Sequence, residues 1–339
     1  FFFQAEDGIR DRLSLVGSEM CIRDSYSLVK TMRGSILVLG PLISKFYKSK
    51  TSLPGGCLIG ARPVNYHLSA LKKLGMNYKI KDGYILAKTK GRLKGNTIKF
   101  PKISVGATEN SIIAACLAKG KTILKNCAIE PEIKDLTNFL NSAGAKIRWS
   151  GRMCKILGTD SLNQTEYTVM ADRIEAGTFC VAATLTKGNL EIKNFNPDII
   201  KAELELLRKV GARIKIDSNK LTVIGPEKIK PIKNIKTREW PGVATDMQSQ
   251  LMVLMCRADG TSSITENIFE NRFLHVGELQ RLGANIQIKK NKALIKGNTK
   301  FIGAELMSSD LRASVALVSV SYTHLRAHET KANIVCRNQ

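Results

Sequence analysis

The sequence predicts an α/β fold built from repeated units in which helices and strands alternate, and three observations carry the prediction. An apolar helix pattern running into glycine recurs four times, in Leu71-Lys-Lys-Leu-Gly75, Leu140-Asn-Ser-Ala-Gly144, Leu207-Arg-Lys-Val-Gly211 and Gln280-Arg-Leu-Gly283. The glycines are 69, 67 and 72 residues apart. Short alternating strands follow, as in Ile214-Lys-Ile-Asp217-Ser-Asn219-Lys-Leu-Thr-Val-Ile224, the period-2 pattern of a hairpin. From the second copy on, a glycine-led strand precedes the helix: Lys119-Gly120 to Asn126, Lys187-Gly188 to Asn194 and, more loosely, Asp259-Gly260 to Asn267.

In chain order, the first helix ends at Gly75, and the strand pattern resumes at Met76-Asn-Tyr-Lys-Ile80. Ser104 to Gly106 open a second helix, and Ile112 to Ala118 continue its apolar pattern. Leu136, Phe139, Leu140 and Ala143 form an i, i+3, i+4, i+7 stripe that Gly144 stops. A new unit opens at Asp172-Arg-Ile-Glu-Ala-Gly177, which puts a domain boundary near Met170-Ala171. Gln250 to Cys256 is another apolar helix, with Asp246 placed to cap its start, and Ile286-Gln-Ile-Lys-Lys-Asn-Lys292 reads as a last hairpin. One unit is therefore helix, strand, helix, hairpin.

The chain of 339 residues is long enough for two domains, and 43% hydrophobic residues suffice for sizeable cores. Its longest apolar runs, such as Ser35 to Ser44, are too short to span a bilayer. The eight cysteines form no C-x-x-C pair, and several sit in apolar runs such as Ala114-Ala-Cys116-Leu, which points to a reduced compartment, the cytoplasm. The net charge of +24 raises a nucleic-acid reading. The lysines are spread along the chain with little aromatic interleaving, and a basic cleft for anionic small molecules accounts for them equally.

One loop stands apart from this scaffold: Ser52-Leu-Pro-Gly-Gly-Cys57-Leu-Ile-Gly60-Ala-Arg62-Pro63. Glycines allow close backbone approach to a ligand, and a cysteine beside a cation gains thiolate character. A surface turn with an inert thiol is the plain alternative. Upstream lies Val29-Lys-Thr-Met-Arg33-Gly-Ser35, and downstream lie Lys102-Ile-Ser104-Val105-Gly106-Ala-Thr108, Thr245-Asp246-Met-Gln248 and Phe269-Glu-Asn271-Arg272-Phe-Leu-His275. Together, from about Tyr26 to Val318, these motifs closely resemble the family of bacterial UDP-N-acetylglucosamine enolpyruvyl transferases, of the EPSP synthase fold family.

The resemblance implies an inside-out α/β barrel architecture of two domains, each of three βαβαββ units, assigned here to residues 26–170 and 171–319. It implies transfer of the enolpyruvyl group of phosphoenolpyruvate to the 3-hydroxyl of UDP-N-acetylglucosamine by addition and elimination, with release of phosphate. This is the first committed step of peptidoglycan synthesis. No metal or cofactor is expected, and neither is a nucleic-acid or membrane partner; the protein is expected to be a monomer.

By the same resemblance, Cys57 supplies an acid for the enol methylene carbon and is the site of alkylation by fosfomycin. Arg33 and Arg62 hold phosphoenolpyruvate, a task that suits the planar guanidinium fork. Asp246 contacts the sugar hydroxyl and takes its proton. Arg62, Pro63, Val64, Asn65, Tyr66, Lys102, Ser104, Val105, Gly106, Asp246 and Ile268 bind the nucleotide sugar, with Lys102 toward phosphate and Ser104 to Gly106 offering helix-start donors. Glu130, Arg272, Asp310 and Arg312 line the cleft in structural or electrostatic roles.

Asn65 stands where the family has aspartate, so a charged contact near the uracil becomes neutral. Residues 1–25 and 320–339 resemble translated sequencing-adapter read-through; they hold six bases and six acids between them, so the charge of the remainder is unchanged. His324 and His328 have the i, i+4 spacing of a helical metal pair but fall in that tail. With the family's amino-terminal Lys-Asn pair and its final unit missing, the chain as it stands is expected to be an inactive fragment; one lost preorganised donor alone costs roughly 3–4 kcal/mol. Three other readings fit parts of the same pattern: 5-enolpyruvylshikimate-3-phosphate synthase, a basic RNA-binding protein on a related repeat fold, and a non-catalytic paralogue.

Overall fold

The computed structural model of the chain describes residues 33–54, 64–218, 220–307 and 311–324. They fall into two compact units: the first holds residues up to Tyr167 except Glu130–Glu132, which group with the second, and the second continues from Thr168.

In the first unit a 3₁₀ turn, Arg33–Val38, leads into α1 (Leu39–Phe46) and β1 (Lys48–Ser52). Helix α2 (Asn65–Lys73) and the hairpin β2 (Asn77–Lys81) and β3 (Tyr84–Lys88) complete one repeat. The next is β4 (Thr97–Lys99), α3 (Val105–Cys116), β5 (Lys121–Lys125), α4 (Pro131–Ser142), β6 (Lys146–Ser150) and β7 (Met153–Leu157). The strand orders are β1-β3-β2 and β4-β5-β7-β6. Helices α1 and α2 pack on α3 around Leu39, Ile43, Leu71, Ile112 and Ala115, all fully buried.

The second unit repeats the plan with α5 (Arg173–Leu185), β8 (Asn189–Lys193), a 3₁₀ turn Pro197–Ile200, α6 (Lys201–Lys209), β9 (Arg213–Asp217) and β10 (Lys220–Ile224). Then come β11 (Ile235–Lys236), a 3₁₀ turn Thr245–Met247, α7 (Gln248–Cys256), β12 (Thr261–Thr265), α8 (Val276–Arg281), β13 (Asn285–Lys289) and β14 (Lys292–Lys296). Helix α9 (Leu311–His324) closes the described chain. Its sheets run β8-β10-β9 and β11-β12-β14-β13.

Helices α5, α7 and α9 pack on one another in the core, and every residue of α7 is buried. That is why α7 reads as apolar on all sides where a surface helix would carry a stripe. Each of its large apolar side chains contributes about 1.5–3 kcal/mol by leaving water. Val320, the first residue of the tail that resembles adapter sequence, is buried in this same core.

The four repeats share their turn chemistry. Gly75, Gly144, Gly211 and Gly283 all have positive φ, between 92° and 108°. In each the glycine N–H donates to the carbonyl three residues back, while the following N–H reaches five residues back, as from Met76 to Leu71 and from Ala284 to Leu279. This is the Schellman closure of a helix, and the sequence pattern anticipates it at all four places. Twenty residues after each helix's last carbonyl, the returning chain donates to it: Lys94 to Leu74, Asn163 to Ala143, Lys230 to Val210 and Ile302 to Leu282. In every sheet the second hairpin strand is central, with burial alternating along it as in β14. Two repeats also have a leading strand, β4 parallel to β5 and β11 parallel to β12, which makes each a full βαβαββ unit.

A second glycine follows three of the hairpins. Gly158, Gly225 and Gly297 donate to the carbonyls of Gly120, Gly188 and Gly260, and a Cβ at Gly297 would overlap the Ala258 carbonyl oxygen. Backbone cannot yield there as a flexible side chain could. Gly297→Ala is expected to destabilise the protein by about 1–3 kcal/mol, read as a lower urea midpoint. An unchanged midpoint would contradict this packing.

Candidate active site

Asp246 lies in the 3₁₀ turn between β11 and α7, reached through a tight turn in which Arg238 donates to the Val243 carbonyl and Gly242 to that of Glu239. The turn is pinned at Ala244, whose N–H donates to Glu203 Oε1 at 2.9 Å. Sequence reasoning expects Asp246 to cap the following helix as well. The structure corrects this: neither the 3₁₀ turn nor α7 has a side-chain cap, and both Asp246 oxygens are engaged elsewhere.

Arg272 Nη2 donates to Asp246 Oδ1 at 2.7 Å, and Arg312 Nε donates to Oδ2 at 3.2 Å. The two arginines come from separate elements, the loop before α8 and the first turn of α9. Arg272 is 4% exposed and lies over the Phe269 ring, whereas the Asp246 side chain remains 36% exposed. A carboxylate has about four lone-pair positions, and two are taken here. The arrangement fixes the plane of the carboxylate and leaves acceptor capacity on an accessible group.

Three of the residues expected at the site thus meet: Asp246, Arg272 and Arg312. Ile268 lies on the same loop as Arg272, half-buried, with its N–H donating to Glu266 Oε1. Glu130 is buried, with Oε1 accepting the Trp240 N–H at 3.5 Å. Its neighbour Glu132 takes a two-pronged pair from Arg173, at 3.0 Å on each oxygen. Burial works against the Arg173 charge, but Glu132, with Glu203 and Glu130 nearby, outweighs it and raises the guanidinium above its ordinary value. Burial likewise pushes the Glu203 carboxyl up, opposed by the Ala244 N–H and the Arg173 charge.

In the first unit the expected nucleotide-sugar residues gather at two helix starts. Val64 precedes α2, Asn65 and Tyr66 open it, and both line a shallow recess of about 200 Å³ with Lys73, Ile98, Lys99 and Phe100. Ser104 caps α3, its hydroxyl accepting from the Ala107 N–H, and the Val105 and Gly106 N–H groups lie in the first turn, where a helix has no carbonyl of its own to receive them. Gly106 is needed for packing: a Cβ there would crowd the His67 ring at 3.1 Å. His67 is itself buried and bonded through Nδ1 to Asn110 Nδ2, which also donates to the Ile36 carbonyl. Lys102 is exposed on the approach to the same helix start.

Cys57, Arg62, Pro63, Asp310 and His328 lie outside the described residues, as do the side chains of Arg33 and His324. Among the described residues no group of three or more His, Cys, Asp or Glu side chains is placed to hold a metal ion, and no helix is long and apolar enough to cross a membrane. Sequence reasoning missed Glu203 and Glu266, both buried beside Asp246's turn. For Glu203 a signal existed, since it shares the buried face of α6 with Leu204 and Leu207. Glu266 carried none.

The family model for EPSP synthase (3-phosphoshikimate 1-carboxyvinyltransferase) matches residues 6–331. A UDP-N-acetylglucosamine 1-carboxyvinyltransferase of Pelagibacter ubique (strain HTCC1062) is 59% identical over 295 residues, covering 87% of this chain and 70% of the relative. One from Coxiella burnetii (strain Dugway 5J108-111) is 48% identical over 298 residues, covering 88% and 69%. Among solved structures, the enolpyruvyl transferase NikO from Streptomyces tendae superposes with a TM-score of 0.78 at 24% identity, covering 92% of this chain and 76% of that one. An EPSP synthase from Acinetobacter baumannii gives 0.64 at 18%, covering 89% and 74%, and both likenesses speak to the fold.

Proposed function

The chain belongs to the EPSP synthase family and, within it, to the UDP-N-acetylglucosamine 1-carboxyvinyltransferases, and from that premise we propose how its residues carry the reaction. The activity is transfer of the enolpyruvyl group of phosphoenolpyruvate to the 3-hydroxyl of UDP-N-acetylglucosamine, with release of phosphate, in peptidoglycan synthesis. The observation that supports the residue assignment is the grip of Arg272 and Arg312 on Asp246, which orients an accessible carboxylate.

Asp246 accepts the proton of the 3-hydroxyl as its oxygen bonds to C2 of phosphoenolpyruvate. The enol double bond moves its electrons to C3, which takes a proton from Cys57, giving a tetrahedral ketal. The thiolate left on Cys57 then takes a proton back from C3, which restores the double bond as the C2–phosphate oxygen bond breaks and phosphate departs. Arg33 and Arg62 hold the phosphate and carboxylate of phosphoenolpyruvate. Val64, Asn65 and Tyr66, with Pro63 before them, receive the nucleoside end of the sugar nucleotide at the recess beside α2. Lys102 and the start of α3 meet its diphosphate, and Ile268 packs on the sugar side. Asn65 offers an amide where the family has a carboxylate. Glu130 shapes the surroundings of Arg173, and Asp310 serves as a further acidic residue of the cleft. The protein acts as a monomer in the cytoplasm and needs no resident metal or cofactor.

The test is phosphate release from phosphoenolpyruvate by the chain extended at both ends to the length of its relatives. Release should require UDP-N-acetylglucosamine. Turnover with shikimate 3-phosphate in its place, or none with either acceptor in a folded protein, would overturn the reading.

A further inference from the structure

We propose that Glu266 is a positioning residue that ties the loop of the sugar subsite to the turn carrying Asp246, so that it sets where the base stands relative to the bound sugar. The inference rests on the reading above.

Glu266 follows directly on β12 and is 3% exposed. Its carboxylate spans two segments that are otherwise separate in sequence. Oε1 accepts the N–H groups of Ile268 at 2.8 Å and Phe269 at 3.2 Å, which open the loop leading to Arg272. Oε2 accepts the Thr245 hydroxyl at 3.0 Å, one residue before Asp246. The backbone of Glu266 is held as well: its N–H donates to the Asn291 carbonyl at 2.8 Å, and its carbonyl accepts Asn291 Nδ2 at 3.1 Å. Asn291 sits in the turn of the β13–β14 hairpin. The carboxylate is therefore a short rigid link on a fixed base, and buried bonds to a carboxylate are of the stronger kind.

The consequence is geometric. Ile268 and Arg272 lie on one side of this link and Thr245-Asp246 on the other, while Arg272 closes the ring by binding Asp246 itself. A sugar held at Ile268 thus meets a base whose position is set through Glu266. A displacement of about 1 Å in such a group can cost a hundredfold in rate.

Three variants of the extended protein test this with phosphate-release kinetics. Thr245→Val removes only the Oε2 bond and should lower kcat about tenfold, leaving KM for UDP-N-acetylglucosamine within twofold. Glu266→Ala should lower kcat about a hundredfold and raise that KM. Glu266→Gln keeps an acceptor for the two N–H groups and a donor for the threonine oxygen, and should recover activity to within about threefold. The deciding measurement repeats Thr245→Val and Glu266→Ala in the Asp246→Asn background. If Glu266 acts by placing Asp246, neither should cost kcat further there. Equal losses in both backgrounds, or full activity of Thr245→Val and Glu266→Ala, would overturn the proposal. Should Glu266→Ala fail to fold, the Thr245→Val pair decides alone. Failure of the unaltered protein to use the sugar nucleotide would instead defeat the functional reading and leave the Glu266 geometry unexplained.

Discussion

Asp246→Asn is expected to lower kcat about a thousandfold, with KM for UDP-N-acetylglucosamine moving only a few-fold. The size follows from what general base catalysis supplies, typically 10²–10⁴ in rate. The split follows from when the interaction matters: a base acts as the hydroxyl proton leaves, so its loss falls on the transition state more than on ground-state binding. The substitution is nearly isosteric, and the side chain is 36% exposed, so little packing is at stake. What changes is the donor pattern. The asparagine carbonyl can serve either Arg272 or Arg312, and its NH₂ group then faces the other guanidinium, which also only donates. The amide cannot take the proton and no longer offsets either cation. Steady-state kinetics of the variant beside the unaltered protein, with its thermal midpoint as a check on folding, makes the comparison. Retention of more than a tenth of kcat would remove Asp246 from the chemistry and reassign it as a partner for the two arginines.

How much of this site the sequence disclosed depends on the range of the forces involved. The glycine stops at residues 75, 144, 211 and 283 were readable because a Schellman closure is local: a left-handed residue and bonds spanning five residues suffice. The helix start at Ser104 to Gly106 was expected, whereas the cap that the Ser104 hydroxyl supplies to the Ala107 N–H came only with the structure. Strands β4 and β11 were not, because three and two residues in parallel pairing carry almost no periodicity of their own. Resemblance supplied Asp246, Arg272 and Arg312 singly. Nothing in their spacing revealed that both arginines would grip one carboxylate, or that this would displace the expected helix cap. Glu266 stayed hidden because an acid in a sequence reads as solvated surface, and only tertiary packing makes a buried anchor of it; Glu203 was overlooked although its place beside Leu204 and Leu207 marks the buried face of α6.

The cysteines invite the second large effect. An epoxide such as fosfomycin should modify Cys57 and leave the five described cysteines untouched for as long as the protein stays folded. Cys116, Cys127, Cys154, Cys180 and Cys256 are all 0% exposed. Burial pushes the thiols of Cys116, Cys127, Cys180 and Cys256 up to about 12, and it pushes Cys154 higher still. The attacking species is the thiolate, so at pH 7 a pKa of about 12 leaves roughly one molecule in 10⁵ reactive, against a few per cent for an ordinary thiol. That alone is a factor of about 10³ before access is considered. Cys57 is distinguished by its chain neighbours: glycines at 55, 56 and 60, and Arg62 five residues on. UDP-N-acetylglucosamine should speed its modification, since the residues proposed to hold the nucleotide, Arg62 to Tyr66, are continuous with the loop and restrain its end when occupied. Peptide mapping after limited labelling reads the result, with Cys21 and Cys336 replaced by serine so that neither competes. One adduct on Cys57, formed faster with the sugar nucleotide and joined by the other five only after unfolding in urea, is the expected outcome. Labelling spread across the buried five in the folded protein, or a Cys57 rate indifferent to the sugar nucleotide, would mean that this loop does not belong to the site.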